Sequence, residues 1–223
     1  MAGGKARMTK QQVYETIRDH ILFLDYRPGE TLSDVKIAEE LHVSRTPVRE
    51  ALLILQREKL VDIYPQSGTF VALLDLDLIR ETIYIRHILE LDILQILMEK
   101  KANVRPKAER YLYLQSLAVE ENNQREYVKN DHLFHQVLFE EAGHGMEWDI
   151  IHPNYQHTIR YHMLDFLNSD LIGTSLAEHR LILDYLEQSD YEQLKGIVDI
   201  HHDYKLRTST HLIEKYPDYF VRP

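Results

Sequence analysis

Apolar positions recur at helical spacing from early in the chain. In KQQVYETIRDHILFLD, residues 10–25, Val13, Ile17, Ile21 and Leu24 share one face before YRPGE breaks the pattern. The pattern predicts a helix there, then a short second one behind an N-cap at Ser33 that carries Ile37, Ala38 and Leu41. A third follows a cap at Ser44, with Val48, Ala51, Leu52 and Leu55 continuing the stripe towards Leu60. Pro47 falls in its first turn, where a missing N–H does no harm. The period then shortens: LVDIYP and GTFVAL, two β-branched and aromatic runs around QS, predict a hairpin. Three helices, a tight turn between the second and third, and a closing hairpin describe a winged helix-turn-helix.

From Leu76 onwards the period is helical almost throughout. LIRETIYIRHILELDILQILMEK spaces Ile79, Ile83, Leu89, Ile93 and Leu97 on one amphipathic helix, and further helical patterns run over 106–123, 124–142, 147–167, 173–188 and 190–215. Breaks at NVRP, GHG, NSD and QSD are loop chemistry. The fold class expected is therefore mainly α: a winged helix-turn-helix over 1–72, a linker over 73–78 and an all-α bundle over 79–223.

Charge sharpens this division. Residues 1–72 hold 10 Lys/Arg and 10 Asp/Glu, whereas the remainder holds 16 and 26 and so carries the whole net charge of −10. Eleven of the 13 histidines also lie after residue 72. A neutral segment can still present a basic edge to phosphate, while the acidic remainder is repelled by a polyanion. No apolar run approaches the length of a membrane span and no secretory signal opens the chain, so a cytoplasmic location is expected. Without cysteine, any metal must sit on His, Asp or Glu.

The basic edge falls in VSRTPVREAL, residues 43–52. The first turn of the third helix would present Arg45, Thr46 and Arg49 to the DNA major groove. Alternatively the two arginines are a solvated face paired with neighbouring glutamates. The stretch LSDVKIAEELHVSRTPVREALLILQREKLVDIYPQSGTFV resembles the DNA-binding domain of the GntR family of bacterial transcription regulators. The resemblance implies a DNA-contact set of Lys36, Ser44, Arg45, Thr46, Arg49 and, on the wing, Gly68. His42 and Lys59 stand where that family often has Gly, so a left-handed turn at His42 is expected.

In the bundle, Asp131 and His135 lie four residues apart and project from one helix face. His179 and His201 sit on two later helices that a bundle interior can bring to the same point. Such a set, with no thiolate, suits zinc, nickel, manganese or iron, although a D-x-x-x-H pair is as often a helix-face hydrogen bond. IYIRHILE, NDHLFHQVL, AEHRLILDYL and GIVDIHHDY resemble the landmark segments of the FCD ligand-binding domain of the FadR subfamily. That resemblance implies that Asp131, His135, His179 and His201 hold a divalent cation, zinc first, and that Arg86 clamps the carboxylate of a small organic acid. Arg86 also has a local alternative in an i,i+4 pair with Glu90, and both roles are compatible. His87, His132, His144, His152, His157, His162, His202 and His211 are left to surface or supporting positions.

The function expected is that of a homodimeric regulator on an inverted-repeat operator, with no membrane partner. Two rivals are a metal that is purely structural and a metal-dependent enzyme. The latter lacks support, since there is no H-E-x-x-H and only Glu141 to His144 approaches the paired E-x-x-H of di-iron bundles.

Overall fold

The computed structural model describes residues 8–167, 172–207 and 209–222. Two compact units emerge: residues up to Asp75 together with the C-terminal segment from Tyr216, and Leu76–Lys215. In the first, α1 (Lys10–Leu22) opens with a capping box between Thr9 and Gln12, and α2 (Asp34–Glu40) is capped by the Ser33 hydroxyl. Helix α3 (Arg45–Arg57) packs on α1, with Val13, Ile17, Ile21, Val48, Leu52 and Leu55 buried between and beside them. The hairpin pairs β1 (Val61–Tyr64) with β2 (Gly68–Val71) in antiparallel register from Val61↔Val71 to Tyr64↔Gly68. Residues just before α2 extend it, since Thr31 bridges Phe70 and Leu32 N–H donates to the Thr69 carbonyl at 2.8 Å. The first helix is shorter than its apolar stripe, because Leu24 turns left-handed (φ 64°) and ends it at Leu22.

Ser44 occupies the N-cap of α3, yet its hydroxyl makes no capping bond. The residue at N3 is Pro47, which has no N–H to offer, so the exposed hydroxyl is left for other partners.

The second unit is built from α4 (Leu76–Glu99), α5 (Arg105–Glu120), α6 (Gln124–Ala142), α7 (Gly145–Phe166), α8 (Ile172–Gln188), α9 (Tyr191–Arg207) and the short α10 (Ser209–Lys215). The pattern read as one helix over 190–215 is helical over Tyr191–Arg207 and Ser209–Lys215, with residue 208 outside the described residues. The loop expected at NSD, 168–170, also lies outside them. Helix α4 is the hub and packs on α6, α7, α8 and α9. It buries Ile79, Ile83, Ile93, Leu94 and Leu97, but also Arg86 and Glu90 from the same face.

Sequence reading places a linker over 73–78 and the bundle over 79–223. Helix α4 starts at Leu76, and the C-terminal segment groups with the first unit: Leu74 N–H donates to the Tyr219 carbonyl at 2.8 Å and the Leu74 carbonyl accepts from Val221 N–H at 2.9 Å. Leu74 and Phe220 are both buried there. An isolated bridge of this kind has no periodicity for sequence reading to detect.

His42 (φ 54°) and Lys59 (φ 60°) both adopt the left-handed conformation. That conformation costs a residue with a Cβ about 1–2 kcal/mol, whereas glycine loses about 0.5–1 kcal/mol of unfolded-state entropy. Both side chains are exposed. His42→Gly and Lys59→Gly should therefore each stabilise the first unit by about 0.5–1 kcal/mol. Denaturant unfolding followed by helical circular dichroism would show this as a raised midpoint with unchanged slope.

Candidate metal centre and nucleic-acid interface

Asp131 and His135 project inward from α6, His179 from α8 and His201 from α9, with exposures of 3%, 0%, 0% and 1%. One ligand atom from each lies within 4.8 Å of all the others. The helical spacing on α6 places the first pair, and the packing of α8 against α9 brings in the other two.

Each imidazole is oriented from behind. His135 Nδ1–H donates to Glu90 Oε1 at 2.9 Å, His179 Nδ1–H to Gln115 Oε1 at 2.9 Å, and His201 Nδ1–H to Glu178 Oε2 at 2.7 Å. An ionised carboxylate only accepts, which fixes the tautomer of His135 and of His201. The Gln115 amide is fixed as well, because its Nε2 donates to the Asn130 carbonyl at 3.2 Å and so turns Oε1 towards His179. All three Nε2 atoms are then unprotonated. Yet His135 Nε2 and His179 Nε2 stand 3.1 Å apart, with Asp131 Oδ1 3.4 Å from His179 Nε2. Two lone pairs and a carboxylate oxygen at such distances repel unless a cation lies among them. Tetrahedral coordination with bonds of about 2.0–2.1 Å separates neighbouring ligand atoms by about 3.3 Å, so these two separations match it, while the set as a whole, spread within 4.8 Å, fits a divalent cation by the chemistry of its donors.

Glu90 is entirely buried and serves three partners: Arg86 Nε donates to Oε2 at 3.1 Å, His135 to Oε1, and His202 Nε2 lies 3.5 Å from Oε2. Burial alone pushes this carboxyl up, but His135, Arg86 and His202 outweigh it and hold it well below the usual range. Burial, helped by Arg86, pushes His135 down and keeps it neutral, as ligation requires. Arg86 itself is 1% exposed, sits over the Tyr155 ring with Cζ 4.5 Å from its centroid, and donates from Nη1 to the Tyr155 hydroxyl. Its Nη2 has no hydrogen-bond partner among the described residues. The local pair with Glu90 and a spare donor thus coexist.

Sequence reading missed Glu90 as a histidine partner, and missed Gln115, Glu178 and Tyr155 altogether. Of the histidines left aside, His157, His162 and His202 are buried, and His87 bonds Asp199 at 2.8 Å. His132 packs against Trp148, His152 and Tyr155.

In the first unit, Arg45 and Arg49 converge on Asp34 at the start of α2, at 3.0 Å and 2.5 Å. Among the described residues neither is paired with a neighbouring glutamate. Lys36, Ser44 and Thr46 are exposed on the same helix-turn-helix, and Gly68 (φ 121°) lies in β2 at the hairpin turn.

Residues 9–71 match the gntR family of bacterial regulatory proteins and residues 81–203 match the FCD domain. An uncharacterised helix-turn-helix transcriptional regulator in an unstable DNA locus of Streptomyces ambofaciens is 30% identical over 199 residues, 85% of this chain and 80% of that protein. The transcriptional repressor RspR of Escherichia coli K12 is 27% identical over 196 residues, covering 86% and 84%. The solved structure of E. coli McbR/YncC superposes with a TM-score of 0.75 at 20% identity over 94% of this chain and all of that one, and so shares the fold.

Glu90→Ala should leave the buried Arg86 guanidinium uncompensated and destabilise the bundle by about 3–5 kcal/mol. A drop in melting temperature far beyond that of an exposed variant such as Glu81→Ala is the expected readout.

Proposed function

The chain belongs to the gntR family of bacterial transcription regulators, with an FCD domain over residues 81–203, and from that premise we propose that it binds an inverted-repeat operator as a dimer under control of a small carboxylate held at a divalent metal. The observation that carries the metal is the inward convergence of Asp131 and three imidazoles whose Nδ1 protons are fixed from behind by Glu90, Gln115 or Glu178, which leaves each Nε2 unprotonated. Asp131, His135, His179 and His201 are the ligands in this reading, which supports membership of the FadR subfamily. A nitrogen-rich set without thiolate favours zinc, with nickel, manganese or iron as alternatives. Bound there, the cation supplies a Lewis-acidic anchor for a carboxylate oxygen.

Arg86 completes the effector site. Its Nε is spent on Glu90 and its Nη1 on Tyr155, which locks the guanidinium plane, while Nη2 keeps an unspent buried donor. A buried donor without a partner costs about 1–3 kcal/mol, and an anionic oxygen recovers it. A small organic acid, such as a sugar acid or a di- or tricarboxylate, is the ligand class that uses both anchors.

DNA contact falls to Lys36, Ser44, Arg45, Thr46, Arg49 and Gly68 around the first turn of α3 and the wing. Dimerisation draws on α4, whose outward face exposes Tyr84, Ile85 and Ile88 at 64%, 49% and 48%. About the helix midpoint these residues are self-complementary in an antiparallel pair, Tyr84 facing Ile88 and Arg80 facing Asp92 of a second copy. No helix among the described residues is long and apolar enough to cross a membrane, and a DNA target fits a cytoplasmic location. A purely structural metal is the alternative.

His179→Ala should lose stoichiometric metal, read by elemental analysis of the purified protein, and with it the thermal stabilisation by organic acids. Arg86→Lys keeps a cation beside Glu90 but loses the fork, so metal should remain while acid stabilisation disappears. Wild-type metal-loaded protein should gain on the order of 2–3 kcal/mol at a hundredfold excess over Kd. No response to any mono-, di- or tricarboxylate would leave the metal structural.

Ile88→Glu sets a carboxylate against Tyr84 of the second copy, where pairing would bury it unpaired, and should convert the dimer to monomer at micromolar concentration. Light scattering that shows an unchanged mass would exclude this face.

A further inference from the structure

The recognition helix carries two arginines that share one carboxylate. Arg45 donates from Nε and Nη2 to both oxygens of Asp34, at 3.3 Å to Oδ2 and at 3.1 Å and 3.0 Å to Oδ1 and Oδ2. Arg49 donates from Nε to the same Oδ2 at 2.5 Å. The three residues are 11 and 15 apart in sequence and bridge two helices across the turn at His42. Asp34 is the enclosed member, with 21% side-chain exposure against 52% and 63% for the arginines.

A guanidinium has two edges able to grip a pair of acceptors, one made by Nε with a terminal nitrogen and one by the two terminal nitrogens. Asp34 takes the Nε edge of Arg45 and the Nε of Arg49, so each arginine keeps its terminal edge for an outside partner. That edge has the geometry that reads guanine O6 and N7 in the major groove. The carboxylate has a second effect. It reduces the local charge of the pair from +2 to +1, which weakens attraction to phosphate wherever the bases do not match. A long flexible arginine without such a brace can reach phosphate in many orientations, and that contact carries no sequence information.

Resting on the operator-binding reading above, we infer that Asp34 is a specificity-determining positioning residue, which aims Arg45 and Arg49 at base edges and lowers affinity for non-cognate DNA. It acts through the two arginines and itself touches no base. The direction of its titration agrees, since the hydrogen bond from Arg49, opposed by partial burial and reinforced by Arg45, holds its carboxyl below the usual range and keeps it ionised at neutral pH.

The test uses full-length protein and two probes: a duplex selected by the wild-type protein from a randomised pool, and a scrambled duplex of the same composition. Asp34→Asn keeps the shape and one acceptor but removes the charge. Fluorescence anisotropy at several salt concentrations should show it binding the scrambled duplex more tightly than wild type, with a salt slope steeper by about 0.9 for the charge released. Affinity for the selected duplex should not rise in step, so discrimination should fall about tenfold or more. Asp34→Glu, which keeps the charge, should recover most of it. Arg49→Ala should weaken binding to both duplexes. Unchanged discrimination in Asp34→Asn would overturn the inference, as would parallel weakening on both duplexes with a lowered melting temperature, the signature of a brace that only holds helices together. Should the wild-type protein select no sequence at all, the operator-binding reading falls first and the role of Asp34 with it, an outcome separate from normal selection with no effect of the substitution.

Discussion

A single buried carboxylate organises the second unit. Glu90 is fully enclosed in the middle of α4, where an isolated charge would cost several kcal/mol, and it stays ionised because Arg86, His135 and His202 surround it. That requirement ties α4 to α6 through His135 and to α9 through His202. It also sets the chemistry of the neighbouring cluster. An ionised Glu90 forces the proton of His135 onto Nδ1 and so exposes the Nε2 lone pair to the three other donors. The tautomer of the candidate ligand and the orientation of the Arg86 plane are thus both consequences of one charge-pairing constraint.

The two units handle arginine with a common logic. Arg86 and the Arg45/Arg49 pair each surrender an Nε to an acidic side chain and keep a terminal nitrogen uncommitted by it. A guanidinium pinned in this way loses little further conformational entropy when it meets an anion, and its planar fork limits which anions it can meet well. In the bundle the fork is sealed from water and suits a small carboxylate. On the helix-turn-helix it is exposed and suits base edges and phosphates.

Much of this was legible in the sequence, and the boundary of what was legible is physical. Local periodicity found α1 to α3, the hairpin and the long helices because each buries a stripe or alternates within a dozen residues. It found Asp131 and His135 because four residues make one turn. His179 and His201 needed a family resemblance, since no local rule links residues 44 or more positions from His135 to a common point. The acceptors behind them were beyond reach for the same reason: Glu90 is 45 residues from His135, and Gln115 is 64 from His179. Likewise the arginines of VSRTPVREAL have acidic neighbours along the chain, yet their partner is Asp34 across the turn, a tertiary choice that i,i+4 reasoning cannot make. The bridge from Leu74 to Phe220 is the extreme case, a contact between chain regions with no pattern on either side.

The arrangement of charges also ties metal and effector into one equilibrium in the proposed reading. Two unprotonated imidazole nitrogens 3.1 Å apart and an adjacent carboxylate oxygen repel unless a cation lies among them, and the Arg86 Nη2 donor is buried with no acceptor among the described residues. The first deficit needs positive charge and the second needs negative charge, so neither a cation nor an anion alone relieves both. A cation that fills the cluster creates the field that draws an anion, and the anion then finds Arg86 already oriented. Each ligand therefore raises the other's affinity, and the coupling is necessarily reciprocal. Whatever conformational preference the pair of ligands imposes on the regulator is bounded by that differential binding, typically about 1–3 kcal/mol, which is enough to change occupancy of a DNA site between about fivefold and 150-fold.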